Sequence, residues 1–271
     1  MTAAAVGVDL DLADLDLIIA AARLAGARAG AMREAGLTTT YKSDKTPVSD
    51  ADLALDHMLK HSLGAARPDY GWLSEETADD PARLACARLF VVDPIDGTRA
   101  FVKHKPWWAV SIAVVEHGRA VAGVVFAPDR DEMFTARLGQ GARLNGVPIQ
   151  GADREALEGC AMLADAAMFR HPAWPQPWPD MRVESRNSIA YRLCSVASGE
   201  FDAALALSRK SEWDLAAAGL IATEAGCLVT DHKGRALAYN QAKPSAPSLV
   251  CANPALHRLF LSRTEPIDLP R

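Results

Sequence analysis

Val91-Val92-Asp93-Pro94-Ile95-Asp96-Gly97-Thr98 is the stretch whose reading decides the fold. Val91 and Val92 read as the end of a buried strand, and Gly97-Thr98 leads into Arg99-Ala100-Phe101, which can open a helix. Asp93 and Asp96 stand three apart across a Pro-Ile step. Two carboxylates at the carboxyl end of a strand suit hard cations, which take oxygen ligands. The amides that follow suit an anion such as phosphate. The same letters also spell an ordinary Asx turn, because Asp, Pro and Gly all favour turns. Taken alone, the stretch leaves both readings open.

The bulk of the chain sets limits. Its 271 residues allow one large domain or two smaller ones, and 49% hydrophobic with 23% charged residues is ordinary for a globular protein with a sizeable core. A net charge of −5 argues against a nucleic-acid polymer as partner, which requires a basic face. It is compatible with a phosphate substrate, since bound cations reverse the local sign. The five cysteines, Cys86, Cys160, Cys194, Cys227 and Cys251, are scattered and include no CxxC pair. That points to reduced thiols and a cytoplasmic setting rather than a disulfide framework or a zinc site. The acidic start, with Asp9, Asp11, Asp14 and Asp16, is unlike a secretory signal. No apolar run reaches about 18 residues, so no membrane span is expected.

Periodicity organises the rest. Residues 10–35 read as one long helix, with Leu12, Leu15, Ile19, Ala22 and Met32 at helical spacing and Gly36 as its stop. The polar residues 38–47, with Lys42, Asp44 and Lys45, read as a hairpin or mobile loop; a catalytic lid is the functional alternative. Ser49 or Asp50 caps a helix that turns Leu55, Met58, Leu59 and Leu63 inward. Asp52 lies in its first turn, where the helix dipole favours a carboxylate whatever else it does. His57 and His61 are four apart but lack the HExxH pattern, and read as a solvated face. A short strand at 71–74 runs into Glu75-Glu76. Residues 108–116 and 119–126, joined by His117-Gly118, read as a hairpin, with 133–137 as a third strand of an antiparallel meander. A boundary between halves 1–150 and 151–271 is expected near 147–153.

The second half alternates strands at 160–164, 201–207, 227–231 and 249–251 with helices at 188–199, 213–225 and 255–261, which suggests an α/β layer. Asp214 sits in the first turn of the middle helix, again a place the dipole favours. The Pro/Trp-dense residues 171–180 cannot be a helix interior and read as a loop packing its tryptophans. No GxGxxG, P-loop or GxSxG pattern occurs.

Three separated stretches then act together: LSEE at 73–76, DPIDGT at 93–98 and WDLAAAGLIATEAG at 213–226. In this order they resemble the inositol monophosphatase superfamily of metal-dependent, lithium-sensitive phosphatases. PVSDAD at 47–52 and GVVFAP at 123–128 resemble it too, so the likeness covers roughly residues 10–260. The resemblance implies a layered α-β-α-β-α fold of the α/β (α+β) class. It implies Glu75, Asp93 and the Ile95 carbonyl as ligands of a first Mg²⁺, and Asp93, Asp96 and Asp214 as ligands of a second, with a weaker third ion possible near Glu75. Li⁺ would inhibit. Gly97 and Thr98 amides would hold the phosphate, with Asp96 and Asp214 beside the substrate. Asp52 and Thr98, with Glu76, would orient the attacking water. A homodimer is suggested.

The physics is consistent with those roles. Phosphomonoester hydrolysis is among the slowest uncatalysed reactions, and a pair of metals about 3.5–4 Å apart can serve both the attacking and the leaving oxygen. Mg²⁺ keeps several waters, so no Ser, Cys or His nucleophile is needed.

The substrate is harder to read. The serine before Glu75-Glu76, PVSDAD and GVVFAP resemble the bisphosphate nucleotidase branch, which makes 3′-phosphoadenosine 5′-phosphate the leading candidate. Histidinol-phosphate phosphatases share LSEE and a similar WDLAA helix; inositol 1-phosphate and a sugar bisphosphate are further alternatives. Leu207 stands where animal inositol monophosphatases carry the glutamate that binds inositol hydroxyls, and an apolar side chain cannot accept those bonds. Arg209 and Lys210 offer charge for a second anionic group. Ser188, next to Arg186-Asn187, falls in the family's substrate loop, whose usual glycine is missing here. A non-catalytic binding protein on the same fold is the distant alternative, and the complete acidic set argues against it.

Overall fold

In the computed structural model, which describes residues 3–42, 46–172 and 174–269, helix α1 runs Ala3–Ala35. It starts well before the expected Leu10. The first turns are alanine-rich, and alanine extends a helix without any apolar periodicity to announce it. The next residues form an antiparallel hairpin, β1 (Thr39–Tyr41) with β2 (Pro47–Ser49). Asp44 and Lys45 lie outside the described residues. Helix α2 (Asp50–Ala66) is capped by Ser49, with Asp52 completing a reciprocal capping box.

Seven strands follow in spatial order: β3 (Gly71–Ser74), β4 (Arg88–Asp96), β5 (Ala109–Glu116), β6 (Arg119–Ala127), β7 (Glu132–Arg137), β8 (Ala142–Leu144) and β9 (Val147–Ile149). Only β3 and β4 are parallel; the rest is the expected meander. Three-residue β8 and β9 carry too little alternation to be read from sequence. All nine residues of β4 are buried. Helices cover both faces of the sheet there, which is why its sequence shows no polar side. The single turn α3 (Thr98–Phe101) follows β4.

The second half contains β10 (Ala161–Leu163), β11 (Arg182–Glu184), α4 (Ile189–Ala197), β12 (Ala203–Ala206), β13 (Lys210–Ser211), α5 (Glu212–Glu224), β14 (Leu228–Thr230), β15 (Ser245–Ala246), β16 (Leu249–Ala252) and α6 (Pro254–Thr264). Five of its strands form a sheet in the order β11-β10-β12-β16-β14, and β13 pairs with β15. The Pro/Trp residues form a loop whose Trp178 packs on Trp174, Phe169 and Phe260.

Three hydrophobic clusters give the layer order. One lies between α1–α2 and the seven-stranded sheet, a second takes α4 and α5 with both sheets, and a third joins the five-stranded sheet to α6. The expected α-β-α-β-α layering is therefore present. Helices α4 and α5 form the middle layer, and α5 is buried without a break from Leu215 to Ala222, which is why that stretch is apolar all round. Its alanines let β6 come close: a side chain on Gly123 would lie 3.0 Å from the Ala217 Cα. Among the described residues no helix is long and apolar enough to cross a membrane.

Candidate metal and phosphate site

Successive strand residues face opposite sides, so Asp93 and Asp96 would diverge in regular β4. The β4–β5 register shifts between them, a bulge-like irregularity that re-aims the second carboxylate. The first turn of α5 then brings Asp214 to the same place. Ligand oxygens of Asp93, Asp96 and Asp214 all lie within 4.8 Å of one another. Asp93 and Asp96 are 2% and 5% exposed. Glu75 continues β3 beside β4, donating its amide to the Val92 carbonyl at 3.3 Å, and its side chain reaches hydrogen-bonding distance of Asp93.

This cluster is short of positive charge. Burial first, then Glu75, Asp96 and Asp214, push the Asp93 carboxyl far above the usual carboxylate range. Burial and the neighbouring Asp96 and Glu75 do the same to Asp214. Burial raises Asp96 to about 6, although Ser188 Oγ at 2.6 Å and the amides of Ala190 and Ile189 at 2.6 and 3.2 Å donate to it. Among the described residues no Lys or Arg pairs with any of the three. An all-oxygen, anionic, buried donor set fits hard divalent cations.

Residues behind the cage hold it in shape. Lys42 reaches from the hairpin to Glu75 at 2.9 Å and Glu76 at 2.8 Å. Burial raises Glu76 to about 7 despite the lysine. Burial works against the Lys42 ammonium, yet the two glutamates raise its pKa overall. Asp56 of α2 accepts from Ser74 Oγ and Thr77 Oγ1, which bracket the glutamate pair. Asp52 accepts from the Ser49 amide at 2.8 Å and hydroxyl at 2.6 Å with one oxygen, and from Thr98 Oγ1 at 3.0 Å with the other. It is thus both helix cap and partner of Thr98, and burial raises its pKa. Thr98 Oγ1 also lies 3.2 Å from the Ile95 carbonyl. Gly97 has φ +94°, and a Cβ there would meet the Trp107 carbonyl at 2.8 Å, so both backbone and space demand glycine.

A cavity of about 760 Å³ opens over the cage. Glu75, Asp93, Asp96, Gly97, Thr98 and Asp214 line it, and Asp52 and Glu76 stand behind that lining. Two expectations change. Ser188 is wholly buried; as N-cap of α4 it accepts from the Tyr191 amide at 2.9 Å and donates to Asp96, so its hydroxyl serves the cage rather than the cavity. Arg209 donates to Ser245 Oγ at 2.9 Å on the exposed side and is not among the lining residues. Its neighbour Lys210, the first residue of β13, lines the cavity instead. Arg192, Arg99 and Asp165 also line it. Sequence reasoning missed Arg192; the available signal was its spacing, one turn beyond Ser188 on the same face of α4.

Comparison with known proteins agrees with this arrangement. The model of the inositol monophosphatase family matches residues 12–268. The Nus factor SuhB of Pasteurella multocida is 31% identical over 262 residues, covering 93% of this chain and 96% of that protein. A histidinol-phosphatase of Mycobacterium tuberculosis is 34% identical over 235 residues, covering 82% and 86%. The crystal structure of the extragenic suppressor protein suhB from Bartonella henselae superposes with a TM-score of 0.78 at 28% identity, covering 92% of this chain and 97% of that one.

Proposed function

The chain belongs to the inositol monophosphatase family of phosphatases, and from that premise we propose that it is a Mg²⁺-dependent phosphomonoesterase of a small phosphorylated metabolite, with 3′-phosphoadenosine 5′-phosphate as leading substrate. The observation that carries the reading is the cage itself: two carboxylates from the end of β4 and a third from the distant start of α5, within 4.8 Å, with no Lys or Arg among the described residues paired to them. Keeping such anions buried together costs free energy in an empty fold, and divalent cations remove that cost.

Asp93, Asp96, Asp214, Glu75 and the Ile95 carbonyl would hold two ions, with Glu75 available to a third. Bound Mg²⁺ supplies Lewis acidity at the phosphoryl oxygens and acidifies a water. The protein's part is positioning. Thr98 Oγ1 donates to Asp52 and so presents a lone pair toward the cavity, able to accept from a water and orient it. The raised pKa of Asp52 suits it to share that proton. Gly97 and Thr98 would meet the phosphate with their amides. Leu205, Leu207 and Met168 give the organic part of the ester an apolar wall. Leu207 disfavours inositol 1-phosphate. A second reading, histidinol phosphate, is favoured by Asp165, an anion on the wall that an ammonium could meet.

We further infer a cytoplasmic setting from five free thiols, a homodimer from family resemblance, and inhibition by Li⁺. The test is a panel of 3′-phosphoadenosine 5′-phosphate, inositol 1-phosphate, histidinol phosphate and fructose 1,6-bisphosphate under one Mg²⁺ concentration. Mg²⁺-dependent phosphate release, fastest from the first, is expected. No release from any of them would overturn the phosphatase assignment for this chain, and fastest release from histidinol phosphate would replace the leading substrate.

A further inference from the structure

Three cations line the cavity wall without joining the cage: exposed Arg99, and the half-buried Arg192 and Lys210. Arg192 belongs to α4 and Lys210 to β13. Among the described residues neither makes an ion pair within salt-bridge distance. Arg192 directs Nε and Nη2 at the Arg186 carbonyl, which fixes the guanidinium and leaves Nη1. Lys210 Nζ donates to Ser208 Oγ at 2.7 Å and to the Arg209 carbonyl at 3.2 Å.

Their surroundings are unfavourable to positive charge. Burial holds the Arg192 pKa below its ordinary value, against the pull of Asp96 and Asp165. Burial does the same to Lys210, which feels Asp214 and Asp96 as attraction and Arg192 as repulsion. Asp96 and Asp214 already belong to the cage, which leaves Asp165 as the other anion that Arg192 feels. Desolvated cations without enough counter-charge raise the free energy of the fold until an anion joins them.

Position selects which anion. Ser188 and Arg192 are one turn apart on one face of α4, about 5–6 Å between Cβ atoms, and Ser188 touches Asp96 at 2.6 Å. Lys210 directly precedes Ser211, whose amide donates to Asp214 at 3.2 Å. The pair therefore stands beside the cage on the wall of the same cavity, where a second phosphate of one ester could reach it. A guanidinium and an ammonium with free donors suit phosphate oxygens, and they repel a substrate ammonium.

We propose that Arg192 and Lys210 form a second anion subsite, which takes a further phosphate borne by the same ester, so that the enzyme selects bisphosphates over monophosphates. This rests on the phosphatase reading of the cage, and the experiment separates the two. Phosphate release is measured for 3′-phosphoadenosine 5′-phosphate against adenosine 3′-monophosphate, and for fructose 1,6-bisphosphate against fructose 1-phosphate. Wild type is expected to favour the bisphosphate within at least one pair, chiefly through KM; the pair that shows it tells nucleotide from sugar. Arg192→Met and Lys210→Met should each lower kcat/KM for that bisphosphate about 10- to 100-fold, the worth of a hydrogen bond to a charged group, and at least about tenfold more than for the monophosphate. Arg192→Lys should recover part of the loss, and thermal melting confirms that each variant is folded. Equal losses on both esters, or no preference in wild type, overturn the subsite. Calorimetric titration of the two nucleotides with Ca²⁺ in place of Mg²⁺ reads the subsite without turnover: tighter bisphosphate binding supports it, and equal affinity overturns it. Selective binding without any phosphate release would overturn the phosphatase reading instead.

Discussion

Strand β4 carries a buried charge cluster at each end, and the two are built on opposite principles. At its start, Arg88 pairs with Asp11 at 2.7 Å, Asp14 at 3.0 Å and Glu116 at 2.9 Å. Asp14, wholly buried, also accepts from Arg67 Nε at 2.8 Å and the Tyr70 hydroxyl at 2.7 Å. Anions and cations alternate there, and the cluster ties α1 to the end of α2 and to the sheet. At the other end, Asp93 and Asp96 meet Asp214 and Glu75, acid against acid. A buried charge with its partner is architecture. A buried charge surrounded by its own kind is tolerated because something outside the chain completes it.

The sharpest way to break that contrast is to remove one negative charge from each cluster. Asp93→Asn and Asp214→Asn should lower Mg²⁺-dependent phosphate release by about a thousandfold or more, since several kcal/mol of transition-state charge stabilisation would depend on the ions proposed to bind there. In metal-free buffer the same variants should melt higher than wild type, because a repulsive buried charge is gone. A lower metal-free melting temperature for both would mean that the acids hold the fold together. Asp14→Asn should behave in reverse. It should cost about 3 kcal/mol in urea unfolding, the low end for breaking a buried pair because Arg88 keeps Asp11 and Glu116. Activity per folded molecule should survive.

The two clusters also differ in how far the sequence reveals them. The cage is written in three short motifs, and each candidate ligand sits at a strand end or in a helix's first turn. The Asp14 cluster has no such signature. Its members are spread from Asp11 to Glu116, and four acids near the start of a chain name no buried partner until α1 is laid on β4. Ser188 and Arg209 lie off the cavity lining for related reasons. Which way a cap hydroxyl or an arginine just before a two-residue strand turns depends on a partner 92 or 36 residues away. The long helices and the meander were legible because they repeat a period several times, whereas β8, β9, β11, β13 and β15 have two or three residues and no period to read.

Acidity offers a further test of the contrast. Asp96 sits at about 6 and Glu76 at about 7, above the 3.8 and 4.5 of the unfolded chain. Between those values the native protein holds protons that the unfolded chain has released. The metal-free stability these groups provide is complete below about pH 4 and is lost as pH rises through 6 and 7. His257, held below its usual value by burial, adds a smaller change of opposite sign. Subtracting melting temperatures with and without saturating Mg²⁺ removes that background. The gain from Mg²⁺ should grow steadily from pH 5 to 8 as the carboxylates become free to bind, and EDTA should abolish it. A gain independent of pH would mean that the ion binds elsewhere.

The smallest expected effect concerns how the cage's outer arm is held. Among the described residues no Lys or Arg pairs with Asp56; its two oxygens accept from Ser74 and Thr77, one on each side of Glu75-Glu76. Asparagine in its place can accept with one atom only, so one hydroxyl loses its partner and the glutamate pair loses half its clamp. Groups that orient metal ligands typically change metal affinity 10- to 100-fold. Because Glu75 also keeps Lys42 and its bond to Val92, Asp56→Asn should weaken Mg²⁺ binding by about tenfold, the low end of that range, read by calorimetry. Asp56→Glu should restore part of it by supplying both oxygens at a longer reach. Unchanged Mg²⁺ affinity with reduced thermal stability would move Asp56 from the cage to the architectural side of the comparison, alongside Asp14.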